Sequence, residues 1–258
     1  MDSKIEKADK EVQKIISEKR IKSVEDRRVA SEIFDKITLE SLYKLANQGH
    51  IDILNGAIST GKEANVLKGI KEDESPVAVK IYRIATSDFK KMDYYIKGDP
   101  RFNIRTKNKR QVIYAWVNKE FRNLKRLQEA KVNAPKPITT LNNVLLLEFI
   151  GDDKGNASPT AKIKPPEDIN SFFEKLLKEM YKFVNDANLI HGDLSNFNIL
   201  NQNENPVIID VSQSVVSDHP LAKELLERDI NTIVKEYKKL GVNTSYEEIN
   251  EFINFKEK

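Results

Sequence analysis

The chain has 258 residues, enough for one large domain or two lobes around a properly buried core. Lys and Arg number 43 against 40 Asp and Glu, so the net charge is only +3, which excludes a polycation that coats nucleic acid without preference; any basic site must be local. With no cysteine, a charged N-terminus and no apolar run near the roughly 20 residues that cross a bilayer, the sequence excludes a disulfide framework and a cysteine nucleophile and reads as a cytoplasmic protein without a membrane partner.

Residues 1–49 are expected to form a helical appendage, with Ile5, Val12, Ile15 and Ile16, then Val29, Ile33 and Phe34, at amphipathic spacing, and Leu42 and Leu45 running to a stop at Gly49. From Ile51 the pattern changes to short β-branched runs, IDILNGAI, NVLKGI and PVAVKIY, separated by Gly- and Asp-rich breaks; this is how a small antiparallel sheet reads. The segment Arg83–Arg110, an insertion at 83–111, is longer than ordered loops normally run. It carries nine basic residues against Asp88, Asp93 and Asp99, a local charge of +6. Its Phe89, Tyr94, Tyr95 and Phe102 either stack on RNA bases or anchor the segment on the strand-rich lobe, and a solvated insertion competes with an RNA or ribosome contact.

Trp116–Leu127 returns to helix, and after Pro135 and Pro137 the apolar run Val144–Ile150 reads as a strand closed by Gly151-Asp152-Asp153, where the boundary between a lobe at 50–150 and a second at 151–258 is expected. Ile169–Val184 presents Phe172, Phe173, Leu176, Leu177, Met180, Phe183 and Val184 on one broad face, a width better explained by core burial than by a partner or cofactor stripe. Two strand-loop pieces, LIHGDLSNFNIL and PVIIDV, and an amphipathic helix over Leu221–Leu240 close the chain.

The chemistry concentrates in His191-Gly-Asp193-Leu-Ser-Asn-Phe-Asn198, followed by Asp210 after PVII. Phosphoryl transfer asks for one aspartate near the nucleophile and an oxygen-donor pair for Mg²⁺, since positioning and charge neutralisation do most of the catalysis. Asp193 fits the first role, and Asn198 and Asp210 the second. Upstream, the alternating Val77-Ala78-Val79-Lys80 ends in a lysine with a packed stem, and Glu120 on the following helix is either its ion-pair partner or a surface charge. Ser59-Thr60-Gly61-Lys62-Glu63-Ala64 occupies the place of a glycine-rich loop with only its middle glycine kept, and adds two hydroxyls and a lysine able to meet phosphate oxygens.

Taken together, Ser59–Val66, the Lys80 strand, Trp116…Lys119-Glu120…Asn123-Leu124, the His191–Leu200 block and Ile209-Asp210-Val-Ser-Gln…Asp218-His219-Pro220 resemble the RIO family of atypical protein kinases over roughly residues 50–235, and the STGKEA form resembles its Rio-one-like branch. The resemblance implies an α+β, two-lobed protein-kinase-like fold, with a small antiparallel β-sheet N-lobe and a mainly helical C-lobe. It implies a serine/threonine kinase or ATPase with ATP between the lobes, Mg²⁺ or Mn²⁺, hinge contacts from the Glu148 and Ile150 backbone, and work on pre-small-ribosomal-subunit particles or rRNA. It also makes Thr86, Ser87 and Thr106 candidates for phosphorylation and Asp210 a candidate phosphoryl acceptor. Departures from ordinary protein kinases are equally plain: His191-Gly-Asp193 lacks the usual arginine, Asp210-Val-Ser replaces D-F-G, and no A-P-E segment follows. The same motif serves aminoglycoside- and choline-kinase-like enzymes, so a small-molecule phosphotransferase and a nucleotide-gated ribosome-binding switch stand as alternatives.

Overall fold

The computed structural model describes residues 35–84, 87–102 and 108–255. The helices expected before residue 35, and Thr86 and Thr106, lie outside the described residues. Two compact units are present. The first takes the described residues up to Phe89 with Asn108–Val117 and Pro137–Phe149; the second takes those of Lys90–Lys107, Asn118–Lys136 and Ile150–Lys258.

In the first unit the three β-branched runs become β1 (Ile53–Thr60), β2 (Ala64–Ile70) and β3 (Pro76–Tyr82), joined by β4 (Pro137–Leu141) and β5 (Val144–Glu148). The order is β1-β2-β3-β5-β4 and every neighbouring pair is antiparallel. Val77, Val79 and Ile81 project from central β3 into a core shared with Leu67, Val144 and Leu146. Each such side chain contributes about 1.5–3 kcal/mol by leaving water. Helix α1 (Lys36–Asn47) belongs to the same core through Leu45. Asp35 caps α1 by accepting from the Thr38 N–H at 2.8 Å, and the Thr38 hydroxyl accepts from Asn143 at 2.8 Å, which fixes the helix to the β4–β5 turn.

The second unit contains helix α2 (Phe89–Lys97) from Lys90 on and most of α3 (Lys109–Glu129), whose first turns fall in the first unit. Helix α4 (Ile169–Tyr181) continues into a wide π turn over Lys182–Asp186. Two short antiparallel pairs follow, β6 (Leu189–Ile190) with β9 (Val215–Val216) and, between them in the chain, the hairpin of β7 (Ile199–Gln202) with β8 (Asn205–Ile208), then α5 (Ala222–Lys239) and α6 (Tyr246–Ile253).

Two elements differ from the sequence reading. The insertion is not one long loop, because α2 buries Met92, Tyr95 and Ile96 on one side, a spacing masked in the sequence by the flanking Lys90, Lys91 and Lys97 and by Asp93. Helix α5 does not close the chain; α6 follows, opened by a capping box in which the Ser245 hydroxyl accepts from the Glu248 N–H and Glu248 accepts from the Ser245 N–H. Among the described residues no helix is long and apolar enough to cross a membrane.

Candidate active site

The first unit supplies a turn and a lysine. Ser59 and Thr60 end β1, and Gly61 turns the chain so that its N–H donates to the Ala64 carbonyl at 2.9 Å. A Cβ at Gly61 would itself sit 2.9 Å from that carbonyl oxygen, so the turn closes this tightly only without a side chain. Ser59, Thr60, Gly61 and Lys62 are all exposed. Lys80 lies on β3 opposite Val66 and Leu145, buried at 7 % exposure, with its ammonium 5.2 Å from the Tyr82 ring centre. Glu148 ends β5 opposite Val77.

The second unit gathers Asp193, Asn198 and Asp210. Pairing of Ile199 with Ile208 in the β7–β8 hairpin carries on into a hydrogen bond from the Ile209 N–H to the Asn198 carbonyl at 3.0 Å, which sets Asn198 beside the residue preceding Asp210. The Asn198 amide donates to the Asp193 carbonyl at 2.8 Å. Buried His191 joins the same loops: its Nδ1 accepts from the Asp193 N–H at 3.2 Å while Nε2 lies 3.1 Å from the Ile209 carbonyl, a pair of bonds that requires the proton on Nε2. Asp210 adopts the left-handed backbone region at φ +57° and exposes its carboxylate, one oxygen of which accepts from the Ser212 hydroxyl at 3.0 Å. The Gln213 amide donates to Asp193 Oδ2 at 3.2 Å.

Asp229 on α5 holds this loop from beneath and carries no signal in the motifs. Its two carboxylate oxygens accept from the Gly192 N–H at 2.7 Å and the Leu194 N–H at 2.9 Å, and burial pushes its carboxyl upward against the pull of His191 and those amides. Gly192 stands at φ +79°, the left-handed turn that lets both flanking amides face one carboxylate. Arg228 donates to the Gly192 carbonyl and also to Tyr95 of α2. A charged residue among Leu225, Leu226, Ile230 and Ile233 on the buried face of α5 was the available sequence signal. Asp229→Ala leaves two buried amides without an acceptor and is expected to lower unfolding free energy by about 3 kcal/mol in urea titration.

A second set of side chains fixes the residues after Asp210. Lys119 on α3 donates to the carbonyls of Ser212 (3.0 Å) and Ser214, and Asn123 donates to those of Val211 (2.8 Å) and Ser214 (3.0 Å). Glu120, beside Lys119, is 1 % exposed. The Ile150 carbonyl accepts from the Ser158 N–H at 3.0 Å. Of the expected site residues, Ser59, Thr60, Gly61, Lys62, Lys80 and Glu148 lie in the first unit, and Glu120, Ile150, Asp193, Asn198 and Asp210 in the second.

An aspartate, an asparagine and a second aspartate assembled on a loop and hairpin, in an α+β chain with a five-stranded antiparallel sheet, define a kinase-like phosphotransferase. The RIO domain model matches residues 65–249. The RIO-type serine/threonine-protein kinase Rio1 of Methanocaldococcus jannaschii is 43% identical over 251 residues, covering 96% of this chain and 85% of the relative. That of Haloferax volcanii is 39% identical over 236 residues, covering 91% and 80%. Among solved structures, the Rio2 kinase–ADP/Mg²⁺–phosphoaspartate complex of Chaetomium thermophilum shares the fold at a TM-score of 0.65 and 22% identity, covering 84% of this chain and 66% of that one. The chain belongs to the RIO family of atypical serine/threonine protein kinases, on its Rio1 side. It is a RIO-type serine/threonine protein kinase, which sets aside the small-molecule phosphotransferase.

Proposed function

We propose that the chain uses ATP with Mg²⁺ or Mn²⁺, that Asp193 receives or orients the proton of the attacking group, and that Asn198 and Asp210 hold the metal on the phosphates. The observation that supports this reading is the backbone bond from the Ile209 N–H to the Asn198 carbonyl, which brings Asn198 beside the residue preceding Asp210; an amide oxygen and a carboxylate are the hard-oxygen donors such an ion takes. The donor set fits Mg²⁺, which is held by one or two protein oxygens and completes its shell with phosphate and water. Bound there, the ion supplies neutralisation of phosphate charge. Among the described residues no group of three His, Asp or Glu stands ready to hold an ion on side chains alone. Lys80 serves the phosphates as a buried ammonium, with Glu120 supporting its charge; Ser59, Thr60, Gly61 and Lys62 meet phosphate oxygens, and the Glu148 and Ile150 backbone meets the base.

Asp210 also serves as phosphoryl acceptor in this reading: its carboxylate oxygen attacks the γ-phosphorus, ADP leaves, and water later cleaves the acyl phosphate. The exposure of Asp210 supports it, as does a fold neighbour seen with phosphoaspartate. The decisive measurement compares ATP hydrolysis alone with phosphate transfer to protein, with and without small-subunit particles, and repeats both after chelation of the metal. Turnover that survives chelation overturns the metal assignment.

The physiological setting we propose is the maturing small ribosomal subunit, contacted through the basic insertion. Of its aromatic residues Tyr95 is buried whereas Tyr94 is 57% exposed, which leaves Tyr94 and the lysines of α2 to face a partner. Neutralising Lys90, Lys91 and Lys97 is expected to weaken binding to rRNA or small-subunit particles and to flatten its salt dependence by about one unit of slope per lost phosphate contact, measured by titration from low to high salt. A slope unchanged by all three substitutions removes the insertion from the interface.

A further inference from the structure

We propose that the stretch from Met92 to Phe102, inside the insertion, is a positioning element for the metal-binding loop at 210–214, with Asp99 and Arg101 as its positioning residues; this rests on the metal site proposed above.

The chain of contacts is continuous within the second unit. Asp99 is 1% exposed and is gripped by Arg101 through Nε to Oδ1 at 2.9 Å and Nη2 to Oδ2 at 2.6 Å. Arg101 Nη2 also donates to Asn123 Oδ1 at 2.8 Å, and the same Asn123 turns its amide donor on the Val211 and Ser214 carbonyls. Arg101 thereby sets which way the Asn123 amide faces, and so which end of it meets the loop. Lys119, fully buried, donates to the Ser212 and Ser214 carbonyls; burial pulls its ammonium down to about 7, and the charge of Asp99 is the main influence opposing that. Thus both residues of α3 that clamp the loop take their orientation or charge from the insertion.

Two further contacts seat the same stretch. A Cβ at Gly98 would run into the His219 ring, so the chain passes flat against the Asp218-His219-Pro220 segment. Tyr95 bonds Arg228, whose other bond is to the Gly192 carbonyl in the loop that carries Asp193. A buried bidentate ion pair is costly to desolvate, and this one continues from Arg101 to Asn123, a link that a merely solvated insertion would not make.

The test uses the purified full chain and a fluorescent ADP analogue, titrated with Mg²⁺ and again in EDTA, with apo melting temperature recorded alongside. Arg101→Lys keeps the charge and gives up the fork that reaches Asp99 and Asn123 together; Asp99→Asn removes the counter-charge of Lys119. Both are expected to hold metal-free affinity within about twofold of the unaltered chain and to lose about tenfold of the gain in affinity that Mg²⁺ brings. Should Asp99→Asn fail to fold, Arg101→Lys decides. If the Mg²⁺ gain is intact in the variants, or falls only in step with metal-free affinity, the inference is overturned. Asp210→Asn separates the two levels: loss of the gain there but not in Arg101→Lys overturns the positioning role alone, whereas a gain that persists in Asp210→Asn overturns the metal site and the positioning role with it.

Discussion

Asp193→Ala is expected to retain metal-dependent nucleotide binding and to lose turnover by about 10³-fold, the range a positioned general base commands. Asp210→Asn is expected to lose turnover at least as far and to lose the metal dependence of nucleotide binding with it. The difference follows from their settings. The Asp193 carboxylate is held by Gln213, which is not a metal donor in our reading, and Asp193 meets the Asn198 amide only through its backbone carbonyl. Asp210 follows Ile209, whose N–H bonds the Asn198 carbonyl at the end of the β7–β8 hairpin, and in our reading the two side chains share the ion. Phosphate trapped on the protein during turnover is expected to be sensitive to hydroxylamine and absent from Asp210→Asn. Only acid-stable phosphoserine or phosphothreonine would leave Asp210 as a metal ligand and direct transfer as the route.

Lys80→Ala is expected to lower kcat/KM for ATP by about 10²-fold, comparable to removing one preorganised donor from a developing negative charge. Because Lys80 lies in a strand buried from Val77 to Tyr82, the substitution also removes a packed aliphatic stem, so the measurement belongs beside a melting curve. Glu120→Gln is expected to act in the same direction more mildly. A double-mutant cycle on kcat/KM is expected to show the second substitution costing little once the first is made. Full additivity would separate the two residues.

The candidate strings at 191–198 and 210 were legible because their geometry is local. Asp193 and Asn198 are five positions apart and meet through one loop, and the residue before Asp210 is brought to Asn198 by a hairpin of two four-residue strands that short apolar runs announce. The β-branched runs of the first unit likewise declare strands without reference to anything distant. What stayed hidden depends on partners far along the chain. Lys119 reaches Ser214 across 95 positions and Asp229 reaches Gly192 across 37, and in sequence each is one charge on an amphipathic helix. Helix α2 was obscured differently: its three buried residues sit among four charged ones, so local composition spoke for solvent while burial was decided by the surface it packs on.

The backbone at Asp210 narrows what any substitution there can report. At φ +57° a residue with a bare Cβ is strained, while glycine, asparagine and aspartate rest comfortably because they lack a Cβ or hydrogen-bond locally. Hard cations, for their part, accept carboxylates far better than amides and cannot use glycine at all. The two filters overlap on a single side chain. Alanine at 210 therefore confounds conformational cost with lost charge, glutamate keeps the charge in an unfavourable turn, glycine removes the whole side chain, and asparagine removes the charge while keeping both the shape and the turn.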